Sequence, residues 1–332
     1  MTPKILKKMD KKITLIGCGV VGSRHLQALV KMSQNTTVYV VEPNKKSQNL
    51  GKKRLKEISY NKQKHSIFWF NSLTELSKES DVTIIATHAS GRVDLIKKLL
   101  KKGHRRFLIE KFVCQSTNEY NDLLASMKKF RSKGWVNTNL QCFEGYRRIK
   151  KCFKPNETIS LSVLTNSKFG LSTQSIHYLA LFTWLTDNNK IKLDGKYLKK
   201  ELLPNKRSKS FKEFQGTLIG VNNNNSFLKL TFMPSFENSL IVKISGDNMH
   251  FILDELHNKI SVFNEKKSKK WNFEFEHVST LTTKIIQDIL KNDDCSLPSL
   301  QDSYNSHSEL FRIFNSHLKK NFNKDFELCP IT

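Results

Sequence analysis

The first part of the chain alternates short apolar runs with segments of helical period. The apolar runs are rich in branched side chains and occupy residues 12–18, 37–42, 66–70, 81–87 and 106–110. Helical patterns follow at 20–32, 44–59, 73–80, 93–102 and 119–131, and a last apolar run lies at 135–138. Because such runs suit strands buried on both faces, and because they alternate with helices, the pattern predicts a parallel sheet with right-handed crossovers.

The pattern changes after residue 137, where short strands separated by turns become frequent. These strands are predicted at 158–164, 214–221, 226–233, 239–245, 249–254 and 258–263, and helices at 172–186, 278–291 and 300–320. That spacing is typical of a mostly antiparallel sheet. The sequence therefore predicts an α/β domain with a doubly wound parallel sheet, residues 1–136, followed by an α+β domain, residues 137–332.

A glycine-rich turn separates the first predicted strand from the first helix. It consists of Gly17, Cys18, Gly19, Val20, Val21 and Gly22. In this context Gly17 permits a tight turn, Gly19 lets the backbone approach a pyrophosphate, and Gly22 lets the helix pack closely on the strand. The first-turn amides and the helix dipole then face the phosphates. The turn predicts a Rossmann domain that binds a nicotinamide dinucleotide, and the alternative is a glycine turn that binds no ligand.

Glu42 ends the second predicted strand, where dinucleotide-binding folds carry an acidic residue. A carboxylate at this position accepts hydrogen bonds from the hydroxyls of the adenine ribose and repels the additional phosphate of NADP. We therefore expect NAD as the cofactor. NADP is the alternative, because Lys45 and Lys46 follow closely and weaken this preference. A solvated strand end is the other interpretation of Glu42.

The formal net charge of the 332-residue chain is +26, a value typical of proteins that bind nucleic acids. The lysines, however, are spread over the whole chain rather than gathered in one patch, and asparagine is abundant as well. A coding bias toward AT-rich codons explains both enrichments. We therefore expect no nucleic-acid partner, although the positive charge can attract an anionic substrate.

The sequence contains no segment typical of a membrane span or a signal peptide. No apolar run approaches the roughly 18 residues that span a bilayer, and no apolar stretch follows the basic N-terminus before the first strand. The six cysteines form no CxxC pair, which favours reduced thiols over a zinc site or a disulfide framework. We expect a cytoplasmic protein with no membrane association and no bound metal.

Glu110 ends the strand predicted at 106–110, and Lys111 directly follows it. A lysine at the carboxyl end of a parallel strand lies on the side where such sheets bind ligands. The residues alone leave two interpretations open. Lys111 is either a proton-transfer group beside a nicotinamide ring or one member of a surface Glu–Lys pair.

At this pair the chain resembles the glucose–fructose oxidoreductase, inositol dehydrogenase and MocA family (Gfo/Idh/MocA). The resemblance includes the glycine loop, the acidic end of the second strand, the IIAT strand with Thr87, and the EK pair. It continues with a strand carrying Asn139, then Tyr146, and a helix with His177 in the stretch GLSTQSIHYLALFTWLTD. The resemblance implies a Rossmann domain and an open, largely antiparallel sheet whose face forms a dimer interface. It also implies hydride transfer between a sugar or polyol carbon and NAD or NADP.

The resemblance assigns roles to individual residues. The family lysine corresponds to Lys111 and the family histidine to His177, which makes both candidate catalytic residues, and which of the two is the base stays open. The cofactor site is expected to include Thr87, His88, Glu110 and Lys111 besides the loop and Glu42. The substrate pocket is expected to include Asn139, Tyr146, Arg147, Thr173 and His177. A solvated loop histidine at position 88 and an ordinary amphipathic helix around Tyr146 are the alternatives.

The chain also departs from the family pattern. Phe112 stands where the family EKP motif has proline, and Thr173 and Ala180 stand where aspartates often precede and follow the histidine. Leu140 and Gln141 replace a basic pair. These departures bear on catalysis, because the histidine lacks its usual acidic neighbours.

The sequence therefore supports two hypotheses. The first is an NAD(P)-dependent oxidoreductase that acts on a sugar or nucleotide sugar in carbohydrate or surface-glycan metabolism, as a homodimer or homotetramer. The phrase SIHYLALFTWLT is similar to a branch of the family associated with bacterial surface glycans. The second is a non-catalytic NAD-binding sensor or partner protein of the same fold, which the residues at positions 173 and 180 motivate.

Overall fold

The first sheet of the computed structural model has six parallel strands. The structure describes residues 10–76, 79–166, 170–205, 208, 210–233, 239–264, 267–272 and 278–332. The strands are β1 (Lys11–Ile16), β2 (Thr36–Val41), β3 (His65–Phe70), β4 (Val82–Ile85), β5 (Arg106–Ile109) and β6 (Lys133–Val136), in the order β3-β2-β1-β4-β5-β6. The order reverses beside β1, and ligands bind at the carboxyl ends of strands next to such a reversal. The predicted doubly wound parallel sheet is confirmed.

Four helices connect these strands. They are α1 (Gly22–Leu29), α2 (Lys45–Lys56), α3 (Arg92–Lys101) and α4 (Thr117–Lys129). The helix predicted over 73–80 is wrong: a single 3₁₀ turn spans Leu73–Glu75, and Leu76 adopts an extended conformation and is buried. Because Leu76 is buried with this extended backbone, the chain leaves the helical conformation after Glu75. Residues 77 and 78 lie outside the described part of the chain.

The second sheet is larger and mostly antiparallel, as predicted. Its strands are β7 (Ser160–Thr165), β8 (Ile191–Leu198), β11 (Gly216–Asn222), β12 (Phe227–Phe232), β13 (Leu240–Ser245), β14 (His250–Asp254), β15 (Lys259–Phe263) and β16 (Ser268–Asn272). Between β8 and β11 the chain forms a separate small sheet of two strands, β9 (Leu203–Pro204) and β10 (Lys212–Glu213). The order is β16-β15-β14-β13-β7-β12-β11-β8, and only the β7–β12 pair among these described strands is parallel. Buried and exposed side chains alternate along β7 and β15, which is the pattern of a sheet with one covered face.

The remaining helices are α5 (Glu144–Lys150), α6 (Leu171–Leu185), α7 (Val278–Asn292) and α8 (Leu300–Phe322). The prediction of a strand carrying Asn139 is wrong, because a 3₁₀ helix spans Asn139–Cys142. The backbone amide of Asn137 makes the last ladder bond, to the carbonyl of Ile109 at 2.8 Å. Since β5 ends at Ile109, the chain has no strand to pair with beyond this point.

The chain forms two compact units. The first comprises Met1–Glu110, Leu123–Asn137 and Glu276–Ser296, and the second comprises Lys111–Asp122, Thr138–Phe275 and Leu297–Thr332. Helix α7 belongs to the first unit although it lies late in the sequence, and its Thr283 hydroxyl donates to the carbonyl of Ala28 at 2.9 Å. The division into functional domains at residues 136 and 137 stays a prediction.

Candidate functional site

Two positions of the glycine turn accept only glycine, one because of its backbone conformation and the other because it has no space for a Cβ atom. Gly17 has φ of +85°. A Cβ atom on Gly22 would lie 2.0 Å from the carbonyl oxygen of Gly17, so a side chain there would break the contact between α1 and β1. A Cβ atom on Gly19 would instead have its nearest neighbour, the Ser47 hydroxyl, at 4.0 Å. The space beside Gly19 is therefore open to a ligand.

The start of α1 presents unused hydrogen-bond donors. Within the described chain, the backbone amides of Gly19, Val20 and Val21 donate to no acceptor. No side chain caps the helix, and its first turn contains no acidic residue. Helix N-termini in this state bind anions, because the amides and the helix dipole both favour negative charge. The loop thus fits the pyrophosphate of a dinucleotide.

Glu42 ties the end of β2 to this loop. The side chain is buried, with one carboxylate oxygen accepting from the amide of Cys18 at 2.7 Å and the other from the amide of Asn44 at 2.8 Å. A carboxylate has about four acceptor sites, so two remain for ribose hydroxyls. Burial, reinforced by the charge of Glu42, raises the pKa of the Cys18 thiol to about 12. Cys18 is therefore a neutral packing residue, while ribose binding by Glu42 stays a prediction.

Arg54, which sequence reasoning missed, lies beside the same loop. Its guanidinium donates to the carbonyl of Val20 and to the hydroxyl of Ser23, the latter at 2.7 Å. Burial and the nearby charge of Arg24 lower the pKa of Arg54. The side chain adds positive charge next to the proposed phosphate site. Nothing in the sequence separates Arg54 from the other basic residues of α2, since only the fold brings it to the loop.

Glu110 is the centre of a largely buried polar network in the first unit, with 12% of its own side chain exposed. Its carboxylate contacts His25 Nε2 at 2.9 Å and accepts from the side-chain amide of Asn137. The other ring nitrogen of His25 lies 2.9 Å from the hydroxyl of Thr282 on α7. The pair of Glu110 and Lys111 is therefore not a surface ion pair, because its acidic member is held inside the fold. No local sequence signal marks His25.

A buried arginine joins the ends of two neighbouring strands. The Arg92 side chain is 1% exposed, and its guanidinium donates to the carbonyls of Thr87 and Glu110, which follow β4 and β5. The Thr87 hydroxyl is buried with no hydrogen-bond partner in the described part of the chain, whereas His88 is exposed. Thr87 and Glu110 are thus fixed at the carboxyl edge of the sheet, where a ligand is expected.

Lys111 is buried in the second unit. Its ammonium donates to the carbonyl of Thr173 at 2.8 Å and lies 5.9 Å from the centre of the Phe112 ring. The peptide bond between Lys111 and Phe112 is cis. The Phe112 ring is fully buried against His307, with ring centres 5.5 Å apart. The replacement of the family proline by phenylalanine therefore places an aromatic ring in the core of this unit.

Thr173 and His177 lie one helical turn apart on α6, and hence on one face. The Thr173 hydroxyl donates to the carboxylate of Glu213, and His177 is partly exposed. Lys111, Thr173 and Glu213 are thus brought together, with His177 on the next turn. The catalytic roles of Lys111 and His177 stay predictions.

The three other expected substrate residues are placed differently. Asn139 is partly exposed. Tyr146 is fully buried, and its hydroxyl donates to Glu255. Arg147 donates through Nε to the carbonyl of Gln141 at 3.3 Å. Tyr146 is committed to a buried contact, and a substrate role for all three stays a prediction.

The contact of Tyr146 belongs to a cluster with two tyrosines and one acid. Tyr178 also donates to Glu255, at 3.1 Å. Burial raises the pKa of Glu255 to about 7, although the hydrogen bonds from both tyrosines oppose the shift. Burial likewise raises the pKa of Tyr146 and Tyr178 well above the ordinary value. The cluster therefore carries a carboxyl group that titrates near neutral pH.

The described residues contain neither a metal-binding cluster nor a membrane-spanning helix. No group of three or more His, Cys, Asp or Glu side chains there is placed to hold a metal ion. Among the helices of that same part of the chain, none is both long and apolar enough to cross a bilayer.

Comparison with known proteins supports the assignment of residues 11–138. Residues 11–138 match the model of GFO_IDH_MocA, described as an oxidoreductase family with an NAD-binding Rossmann fold. The match confirms the predicted NAD(P)-binding Rossmann domain, and the matched family is the one that the sequence resembles. No curated protein sequence matches the chain significantly.

Several solved structures share the fold over nearly the whole chain. UDP-N-acetylglucosamine 3-dehydrogenase GnnA from Acidithiobacillus ferrooxidans has a TM-score of 0.69 at 15% identity, covering 92% of this chain and 97% of its own. An oxidoreductase from Agrobacterium radiobacter, in complex with NAD⁺, L-tartaric acid and magnesium, has a TM-score of 0.72 at 12% identity, covering 94% and 97%. A super-repressor mutant of Gal80p from Saccharomyces cerevisiae has a TM-score of 0.68 at 12% identity, covering 96% and 97%. At these identities the likeness shows the fold alone.

Proposed function

Because residues 11–138 belong to the Gfo/Idh/MocA oxidoreductase family, we propose that the chain is an NAD(P)-dependent oxidoreductase acting on a sugar or nucleotide-sugar carbon. The observation that carries this proposal is the uncapped start of α1, where unused amides lie beside the open space at Gly19. The reaction belongs to carbohydrate or surface-glycan metabolism in the cytoplasm.

A nucleotide sugar is the substrate class to test first. A nucleotide sugar carries a diphosphate, and the chain carries a net charge of +26, which attracts anions. The fold shared with a UDP-N-acetylglucosamine 3-dehydrogenase supports the same class. UDP-N-acetylglucosamine is therefore the first compound to test as a substrate.

The residues divide the chemistry between them. When bound, the nicotinamide ring accepts or donates a hydride. In the oxidising direction, a substrate C–H bond breaks as the C–O bond becomes a carbonyl, and the hydroxyl proton passes to His177. A histidine suits this step because its ordinary pKa lies near neutrality.

Lys111 has a different part. Its ammonium donates to the carbonyl of Thr173 at 2.8 Å, and an ammonium has three N–H donors. One of these donors holds the substrate oxygen and stabilises the negative charge that develops on it. This division leaves the proton transfer to His177 and the charge stabilisation to Lys111.

The assembly we propose is a homodimer or homotetramer. Exposed apolar side chains lie on strands of the second sheet, at Tyr197, Val221, Phe227, Ile252 and Phe263. Contiguous apolar area at a protein surface favours association, and Val221 and Phe227 are direct cross-strand neighbours. Light scattering at several protein concentrations measures the mass, and a monomer at every concentration contradicts this part of the proposal.

A second candidate function is a non-catalytic NAD-binding regulator. The residue that favours it is Thr173, which stands where the family often has an aspartate. The hydroxyl of Thr173 donates to Glu213. The likeness to the Gal80p super-repressor is compatible with this function. NAD binding without turnover of any compound in a broad sugar panel distinguishes it from the enzyme.

The experiment that tests the proposal has two stages. Calorimetric titration with NAD and NADP measures cofactor binding, and absorbance of the reduced cofactor then reports turnover with UDP-N-acetylglucosamine and related sugars. We expect binding of NAD and turnover of at least one nucleotide sugar. Absence of dinucleotide binding overturns both candidate functions.

A further inference from the structure

The carboxylate of Glu213 lies against the first turn of α6. It accepts hydrogen bonds from the Ser172 hydroxyl at 2.5 Å, the Thr173 amide at 3.3 Å, the Thr173 hydroxyl, and the Asn205 side-chain amide at 2.9 Å. Glu213 is buried, although it ends a short polar strand that the sequence did not predict. A buried carboxylate needs such partners, because burial without them is costly.

The fold leaves a fitted space for this carboxylate. Gly170 has φ of +63°, and a Cβ atom there would lie 2.3 Å from a Glu213 oxygen. The Ser172 hydroxyl also lies 2.8 Å from the carbonyl oxygen of Lys212, and the amide of Leu171 donates to the carbonyl of Phe214 at 3.3 Å. The start of α6 and the segment around Glu213 are thus fastened together on both sides of the carboxylate.

Thr173 connects this carboxylate to Lys111. Its hydroxyl donates to Glu213, while its carbonyl accepts from the Lys111 ammonium at 2.8 Å. The two opposite charges are therefore linked by two hydrogen bonds through one residue, and both are buried. In a buried site a nearby anion favours the charged form of an amine.

We propose that Glu213 is a positioning residue of the active site, which anchors the first turn of α6 and keeps Lys111 as a protonated donor. The inference rests on the proposed function, because it gives the Lys111 ammonium a part in the reaction. His177 lies one turn after Thr173 and is held by the same anchored helix. Loss of the Glu213 charge therefore changes Lys111 electrostatically and loosens the helix that carries His177.

The first test measures the protonation of Lys111 and requires no substrate. Trace labelling of the whole protein with acetic anhydride at a series of pH values, followed by peptide mass spectrometry, reports the pH at which each amine becomes reactive. In Glu213→Gln we expect Lys111 to react at a pH lower by about one unit, because the amine has lost its anion. Glu309→Gln is the control. Glu309 is a partly buried carboxylate of the same unit, but it accepts hydrogen bonds from Arg312 and the Leu193 amide and not from Thr173.

Glu213→Asp is a second variant. It keeps the negative charge, but its side chain is shorter by one methylene group, which moves the carboxylate away from Thr173. We expect a smaller shift in the same direction, and this variant serves if the glutamine variant does not fold. The double variant Thr173→Asp/Glu213→Gln returns a carboxylate to the start of α6, and we expect Lys111 to regain most of its wild-type titration. An unchanged Lys111 titration in folded Glu213→Gln and Glu213→Asp overturns the proposal.

Turnover separates this proposal from the proposed function. With UDP-N-acetylglucosamine as the probe, we expect kcat of Glu213→Gln to fall about 10–100-fold while NAD binding is kept, as for a misplaced catalytic group. Full rate in Lys111→Ala shows that the proposed function has the wrong active site. Loss of rate in Lys111→Ala with full rate and unchanged Lys111 titration in Glu213→Gln contradicts only the role of Glu213.

Discussion

Glu42 accepts a hydrogen bond from the backbone amide of Cys18 at 2.7 Å, so the end of β2 holds the glycine loop in place. The residue expected to select the cofactor through its ribose therefore also shapes the loop expected to bind the pyrophosphate. A change at Glu42 consequently acts on both ends of the cofactor site.

Replacement of Glu42 tests this double role. In Glu42→Ala the Cys18 amide loses its buried acceptor, and we expect the free energy of unfolding to fall by about 1–3 kcal/mol. We also expect NAD affinity to fall, because the loop is released and the ribose acceptors are lost. Urea unfolding and calorimetry measure the two effects. An unchanged NAD affinity contradicts the assignment of Glu42 to the cofactor site.

Gly19 and Gly22 form a matched pair for the loop. Gly22→Ala should prevent stable folding of the first unit, because the new Cβ would overlap the Gly17 carbonyl at 2.0 Å. Gly19→Ala should fold normally, since its Cβ meets nothing nearer than 4.0 Å, yet lose NAD binding because the methyl group enters the pyrophosphate site. Circular dichroism reports folding and calorimetry reports binding. Wild-type affinity in Gly19→Ala would show that the loop does not bind the cofactor.

Arg92 should be one of the most sensitive positions of the first unit. In Arg92→Met the carbonyls of Thr87 and Glu110 lose a buried donor, and we expect the free energy of unfolding to fall by about 3 kcal/mol or more. Lys133→Met is the control, because its ion pair with Asp293 is largely exposed and contributes about 1 kcal/mol or less. Equal losses in the two variants, measured by urea unfolding, contradict the structural role of Arg92.

Glu255 should make stability depend on pH. Burial raises its pKa in the folded protein to about 7 from an ordinary value of 4.5, so the folded state binds the proton more tightly. This contribution is fully present below pH 4.5 and is lost as pH rises through about 7, at a cost of up to about 3 kcal/mol. Glu255→Gln removes this contribution. We therefore expect the free energy of unfolding of the variant to change less between acidic and neutral pH than that of the wild type. Identical pH profiles in urea unfolding contradict the assignment.

The sequence predicted the architecture well because its signals are local. The apolar runs at β1, β4 and β5 and the glycine loop between Gly17 and Gly22 each identify themselves within a few residues. Strands β8 and β16 were missed because they lie at the edges of the second sheet and carry charged residues, which edge strands tolerate and central strands do not.

The candidate site was only partly accessible from sequence. Lys111 and His177 were identified through the order of family motifs, but their neighbours come from distant segments. Glu213 lies 40 residues from Thr173, and its short strand has no recognisable pattern. Arg54 is hidden among the basic residues of α2, and His25 meets Glu110 across 85 residues. Such partners depend on tertiary structure, which periodicity does not report.

The central claim is that the glycine loop holds a nicotinamide dinucleotide that serves a reaction carried by Lys111 and His177. The most direct test is steady-state turnover of UDP-N-acetylglucosamine with NAD by the wild type, Lys111→Ala and His177→Ala, with NAD affinity measured on the same preparations. The account predicts that both variants still bind NAD and lose at least about 100-fold in kcat. Wild-type turnover in both variants would contradict it.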